Sequence, residues 1–177
     1  MKVSFAAWGF VFFLAVAVNA QEAPWPQARP EDVGTVYSTV KASYDAISGP
    51  PGQILNLDRF RSLFLPNAQL VSVSVKGGQT SAHVMTLKEF TDMVSAMIGK
   101  DGHVEHELTE RVDAYGSIAN VWSAYEARTT PDDPHVIRGI NSIQLFNDGK
   151  RWWISGAQWQ HENPSTPIPA KYLSGAN

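Results

Sequence analysis

Apolar positions along this chain change their period in a set order. From Glu31 onward, Val33, Val36, Tyr37, Val40, Tyr44 and Ile47 recur at three- and four-residue spacing, which predicts one amphipathic helix. The run SGPPG, 48–52, stops it. The segment LDRFRSLFLP, 57–66, predicts a second, short helix with Asp58 as its cap and Pro66 past its end. At 70–75 the period drops to two in the valine-rich LVSVSV, a strand. Gly77-Gly78 turns it, and TSAHVM, 80–85, returns as a short partner. Thr86 and Glu89 have the spacing of a capping box, in which the threonine oxygen takes a free amide and the glutamate reaches back. A third helix follows, with Phe90, Met93, Val94, Met97 and Ile98 on one face and Gly99 at its end. The rest alternates as strands near 103–114, 118–129, 136–147 and 151–162. Turns fall at Tyr115-Gly116, across 130–134, and at Asp148-Gly149. The class is α+β.

The two ends lack this periodicity. Residues 1–20 run from Lys2 through the apolar FAAWGFVFFLAVAV to the small-residue site Val18-Asn19-Ala20, the layout of a secretory signal peptide. Its apolar run is shorter than the roughly 20 residues needed to span a bilayer, so cleavage leaves no stable membrane anchor. Residues 21–30 hold three prolines and read as an extended arm. Residues 163–177 hold three more and read as an arm lying on the body, its end pinned near Pro169, Tyr172 and Leu173. Residues 31–162 form one domain, as 177 residues suit a single core.

Charge and composition narrow the chemistry. The net charge is −3, and loss of Lys2 with the leader makes it −4, with 13 basic and 17 acidic residues. There is no basic block for nucleic acid. Cysteine is absent, which removes disulfides, thiolate nucleophiles and cysteine metal sites. An exported chain without cysteine suits the periplasm or the exterior. Ser-His-Asp order, phosphate loops and dinucleotide fingerprints do not occur, and no cofactor is expected.

The element order, LFLPNAQLV after the second helix, VWSAYEAR on a middle strand and SIQLFNDGKRWWISGAQWQ at the end resemble the nuclear transport factor 2-like superfamily, which includes ketosteroid isomerases and polyketide cyclases. The resemblance covers 31–162. It implies a cone-shaped fold, with three N-terminal helices packed on a curved, mainly antiparallel sheet. It also implies a pocket at the open end of the concave face and a convex face that often covers a second subunit. Its isomerases carry a tyrosine on the first helix, where this chain has Tyr37 and Tyr44. They also carry a carboxylate base just beyond the first strand, and LVSVSVKGG has no acid there.

Asp148-Gly149 reads as a two-residue turn that pairs Asn147 with Lys150. That register places Asn141, Ile143, Leu145, Trp152, Ile154, Gly156 and Gln158 on one face. Ile140, Phe146, Trp153, Trp159 and His161 take the other. A ligand site lined by Tyr125, Asn141, Trp152 and Gln158 follows, with Gly156 leaving room, for a small apolar or aromatic molecule. The alternative is that the two amides only satisfy each other or a loop backbone. The second face predicts a homodimer patch of Ile140, Phe146, Trp153 and Trp159, with the terminal arms as the competing cover. Candidate acids and bases are Tyr37, His83 and Glu126. Their plainer readings are a core tyrosine, a surface histidine, and an ion pair with Arg128. HVEHE, 103–107, has the composition of a metal site, but successive ligands on one strand lie about 7 Å apart, so no metal is expected. The function expected is an exported small-molecule-binding protein. A cofactor-independent isomerase, dehydratase or hydrolase is one alternative, and a homodimeric interaction module without ligand is the other.

Overall fold

The computed structural model describes residues 24–174, so the leader predicted at 1–20 lies outside the described residues. Four α-helices and six strands follow in the order α1 (Pro30–Val33), α2 (Val36–Ile47), α3 (Leu57–Ser62), β1 (Phe64–Lys76), β2 (Gln79–Thr86), α4 (Leu87–Asp101), β3 (Val104–Tyr115), β4 (Ile118–Arg128), β5 (Ile137–Asn147) and β6 (Trp152–His161). A 3-10 turn, Ala170–Tyr172, lies in the C-terminal arm. No helix among the described residues is long and apolar enough to cross a membrane.

Local chemistry moved several boundaries. The single helix expected from Glu31 is two, because Thr35 caps α2. Its hydroxyl accepts from the Ser38 amide at 2.9 Å, and the Ser38 hydroxyl accepts from the Thr35 amide at 3.1 Å. Asn56, not Asp58, caps α3. That helix ends at Ser62, since the Leu63 carbonyl is already taken by the Ile154 amide at 2.9 Å, and Phe64 pairs with Ile154 in the sheet. The Thr86–Glu89 capping box is present. Its helix runs past Gly99 to Asp101, and Gly102 ends it at φ 77°, a conformation glycine adopts without strain.

All six strands form one mixed sheet in the order β2-β1-β6-β5-β4-β3. Only β1 and β6 are parallel; the other pairs are antiparallel. The helices α2 and α4 pack on one side, α2 against β3 and β6, and α4 against β1 and β2. Val40, Leu63, Val94, Ile98, Val121 and Ile154 are fully buried between these layers. Trp25 ties the N-terminal arm down by donating its indole N–H to the Phe64 carbonyl at 3.2 Å.

Register decides which side chains face the helices. The β5–β6 turn is wider than two residues, so Asn147 pairs with Trp152, not with Lys150. Parity is unchanged by this shift of two, and Trp152 and Ile154 face the helices as expected. Between Ile154 and Gly156 the pairing slips, leaving Ser155 unpaired, a β-bulge. From there on the faces exchange. Ala157, Trp159 and His161 turn to the helix side, and Gly156, Gln158 and Gln160 turn away. Trp159 meets Phe90 of α4 edge to face at 5.8 Å. It is therefore not in an outer patch, and Gln158 is not in an inner pocket.

Candidate functional site

The polar groups that converge on the helix side come from four elements. Alternation along β4 points Ser123 and Tyr125 at α2, and β5 sets Asn141 beside Ser123 and Gly139 beside Tyr125. A bulge between Glu107 and Thr109 on β3 keeps both Glu107 and Glu110 on this side, paired with Tyr125 and Ser123. From α2, Tyr44 reaches down and lies 2.6 Å from the Ser123 hydroxyl. The Asn141 amide donates to the Tyr44 oxygen at 2.8 Å, and the Ser123 hydroxyl donates to Glu107 Oε1. With the Ser123 proton given to the carboxylate, Tyr44 must donate to Ser123. Asn141, Tyr44, Ser123 and Glu107 thus form one chain whose donors all point towards the carboxyl.

Burial differs along this chain. Ser123 and Tyr44 are buried, while Asn141 and Glu107, at the two ends of the chain, are half-buried. Burial pushes the Glu107 carboxyl up to about 7; the Ser123 hydrogen bond opposes this and the Glu110 charge adds to it. Burial also raises Glu110. Tyr44 and Tyr125 are held above the ordinary phenol range by burial, with the Glu105 charge adding. His161 lies edge-on to Tyr125 at 6.4 Å, and burial lowers its imidazole. His103 Nε2 and Glu105 Oε2 close the rim of the site at 2.8 Å.

Gly139 is the glycine that makes room. A Cβ there would meet the Tyr125 hydroxyl at 2.5 Å and the Gln160 carbonyl at 2.6 Å. Gly156, expected to do this, faces the opposite side of the sheet.

The residues expected from the sequence divide accordingly. Tyr125 and Asn141 are brought together. Trp152 faces the helices but beside Asn147, at the turn end of the hairpin, away from them. Gln158 is exposed on the other face. Tyr37 is 56% exposed, since the break at Gly34-Thr35 rotates it off the packed face. His83 is exposed on β2 opposite Ser72. Glu126 lies on the outer face, 3.1 Å from the Arg128 guanidinium and 3.3 Å from His106. The three candidate acids and bases do not meet. Glu107, Ser123 and Tyr44 do, and the signal for them was the alternation His103, Glu105, Glu107 on a strand that packs against a helix. Among the described residues no group of three or more His, Asp or Glu side chains is placed to hold a metal.

No protein-family model matches the sequence, and no curated protein matches it. Solved structures do match. One is a nuclear transport factor 2-like protein of unknown function from Pseudomonas putida, with TM-score 0.53 and 9% identity over 71% of this chain and 82% of that one. Another is a protein of unknown function with a cystatin-like fold from Nostoc punctiforme, with TM-score 0.52 and 10% identity over 76% of this chain and 98% of that one. With helices on one side of a six-stranded mixed sheet, and with these neighbours, the chain has the fold of the nuclear transport factor 2-like superfamily.

Proposed function

We propose that this protein is exported and binds a small, uncharged molecule at the carboxyl end of the Asn141–Tyr44–Ser123–Glu107 chain. The observation that carries this reading is the chain itself. Four elements each contribute one polar group, each of the three links between them is a hydrogen bond, and the chain stops at a half-buried carboxyl. Beside it Tyr125 pairs with Glu107 across β3 and β4 and is buried in the core. A buried hydrogen-bonding chain that ends at solvent favours a ligand carrying a hydroxyl or carbonyl, because an unmatched polar group there costs more than a matched one returns. The leader at 1–20 supports export, and the N-terminus of the exported protein should be Gln21. A chain that keeps Met1 in the membrane sinks that part.

Native mass spectrometry of the purified wild type tests the binding. A co-purifying molecule is expected, lost in Glu107→Gln and in Asn141→Ala. A chain that is always empty, or loading unaffected by both changes, overturns the site.

A second reading, acid–base catalysis, is favoured by one property of Glu107. A carboxyl that titrates near neutral pH can both take and give a proton. In that reading Glu107 replaces Tyr37, His83 and Glu126 as the acid or base, and Tyr44 acts only through Ser123, to which it donates. A homodimer fits either reading on a changed surface. Tyr115, Ile118, Phe146 and Trp153 share the outer face at the turn end of β4–β6, and Tyr115 and Ile118 are exposed.

A further inference from the structure

The outer face carries a second feature that the inner chain does not use. After β6 the chain turns back on itself at Asn163 and Thr166, whose backbones exchange hydrogen bonds at 3.3 and 2.9 Å. It then crosses the sheet. One anchor is Ile168, buried, with its amide donating to Glu162 Oε1 at 2.8 Å. The other is Tyr172, whose ring lies 5.7 Å from Trp122 of β4 and whose carbonyl accepts from the Thr109 hydroxyl. Between the anchors the arm does not settle onto the strands. Pro167 and Pro169 have fixed φ and no N–H to offer, so this stretch cannot zip onto a sheet. It bridges a cavity of about 330 Å³.

We infer that this arm-roofed cavity is a second binding site, for an uncharged aromatic small molecule. Size is the first reason, since its volume is at the lower end of small-molecule pockets, roughly 300 Å³ and above. The walls give the class. Trp122, Ile140 and Ile168 are apolar, and Trp122 is half-buried and offers an indole for stacking. Ser142, Gln158 and Gln160 supply neutral donors and acceptors at the floor. No lysine or arginine lines it, and burial lowers the lining imidazole of His161, so little there compensates an anion. The lining carboxylate, Glu162, already accepts from the Ile168 amide and lies 3.6 Å from Arg138, which leaves little for a cation. Trp159 and His161 of β6 also line it, but none of Asn141, Tyr44, Ser123 and Glu107 does, so the cavity is separate from the inner chain.

Isothermal titration of the full mature chain with indole and with 2-naphthol, and with benzoate as the charged control, tests this. Saturable one-site binding of at least one neutral probe below about 1 mM is expected, with benzoate at least tenfold weaker. Ile140→Trp, which fills the cavity, and Trp122→Ala, which removes the stacking surface, should each weaken the neutral probe about tenfold or more. Glu107→Gln, on the inner face, should leave its affinity unchanged. No binding of either neutral probe overturns the site, as does benzoate binding equally well. Affinity that survives in whichever of Ile140→Trp and Trp122→Ala folds also overturns it. Affinity lost in Glu107→Gln instead assigns the probe to the inner chain and overturns the outer site.

Discussion

Ser123 and Trp122 are neighbours on β4 and point to opposite sides of the sheet. Ser123 is fully buried beneath α2 and has two hydrogen-bonding partners, Tyr44 and Glu107. Trp122 is half-buried, with the Tyr172 ring of the arm 5.7 Å from its own. The inner face tolerates polar groups because Asn141, Tyr44, Ser123 and Glu107 satisfy one another beneath the helices, whereas Glu110 Oε2 on the same side is buried without a partner. Among the described residues the outer face carries no α-helix and is closed in part by a proline-rich arm, which covers apolar surface without packing it densely. Burial by a regular element leaves a specific hydrogen-bond chain; burial by an arm leaves space.

The contrast is broken most directly through the two tryptophans either side of the bulge. Trp159→Asp should cost roughly 3–5 kcal/mol, because it removes an aromatic that packs on Phe90 and puts a charge against the core. Trp153→Asp should cost less, about 1 kcal/mol, since its ring is half-buried, held by the Arg151 guanidinium at 3.6 Å and by an indole hydrogen bond to Asp148 at 2.9 Å. Urea unfolding measures both, and equal losses would refute the placement of the bulge at Ser155.

Ser123→Ala should cost roughly 2 kcal/mol, because it leaves the Tyr44 hydroxyl and Glu107 without their shared partner in a buried place. The outer-face counterpart, Gln144→Ala, lies on an exposed ladder to Asn120 and should cost about 0.5 kcal/mol or less. Thermal unfolding that ranks the pair the other way round would mean the inner chain is not the tighter network.

A pH series sharpens the same contrast. The folded Glu107 binds its proton up to about 7, whereas the free carboxyl loses it near its ordinary value of 4.5. Between these values the folded state holds more protons than the unfolded one, so the Glu107 contribution is full below pH 4.5 and is lost as pH rises through 7. After discounting for partial exposure the loss is roughly 1–2 kcal/mol. Glu107→Gln should remove that slope and be the more stable protein at pH 8. The lowered His161 works in the opposite sense, losing stability as pH falls below its ordinary value of 6.5, and is common to both proteins. Identical pH profiles for the two proteins would show that Glu107 is not raised.

The smallest expected change in stability is Ile118→Asp, at about 0.5 kcal/mol or less for an exposed position. It should turn a dimer into a folded monomer in sedimentation if Tyr115, Ile118, Phe146 and Trp153 meet a second copy. A wild type already monomeric at high concentration refutes that interface.

Much of the fold was legible in order and type. The four C-terminal strands lie within one or two residues of their periodic patterns, and the Thr86–Glu89 box marks the start of α4 as expected. Period two in a half-buried strand is a strong, local signal. The first helix was less legible, because Thr35 can cap a helix or sit inside one, and only the Ser38 partner decides. The site was legible in part. Asn141 and Tyr125 carry the right parity, and Gln158 and Trp159 do not, since one unpaired residue exchanges every side chain after it.

By itself the sequence determined what depends on neighbours in the chain: where strands run, where α4 is capped, and which residues of β4 alternate inward. The tertiary structure decided what depends on partners far along the chain. Ser155 bulges because β5 pairs with β6 in one register up to Ile154 and in another beyond it. Glu107 becomes a site residue only when Ser123 and Tyr44, 16 and 79 positions away along successive links, are brought against it. Tyr172 covers Trp122 only because the arm has folded back across the sheet. Each of these contacts is nearly invisible to local periodicity, because its energy lies in burial and hydrogen bonding between segments that periodicity treats separately.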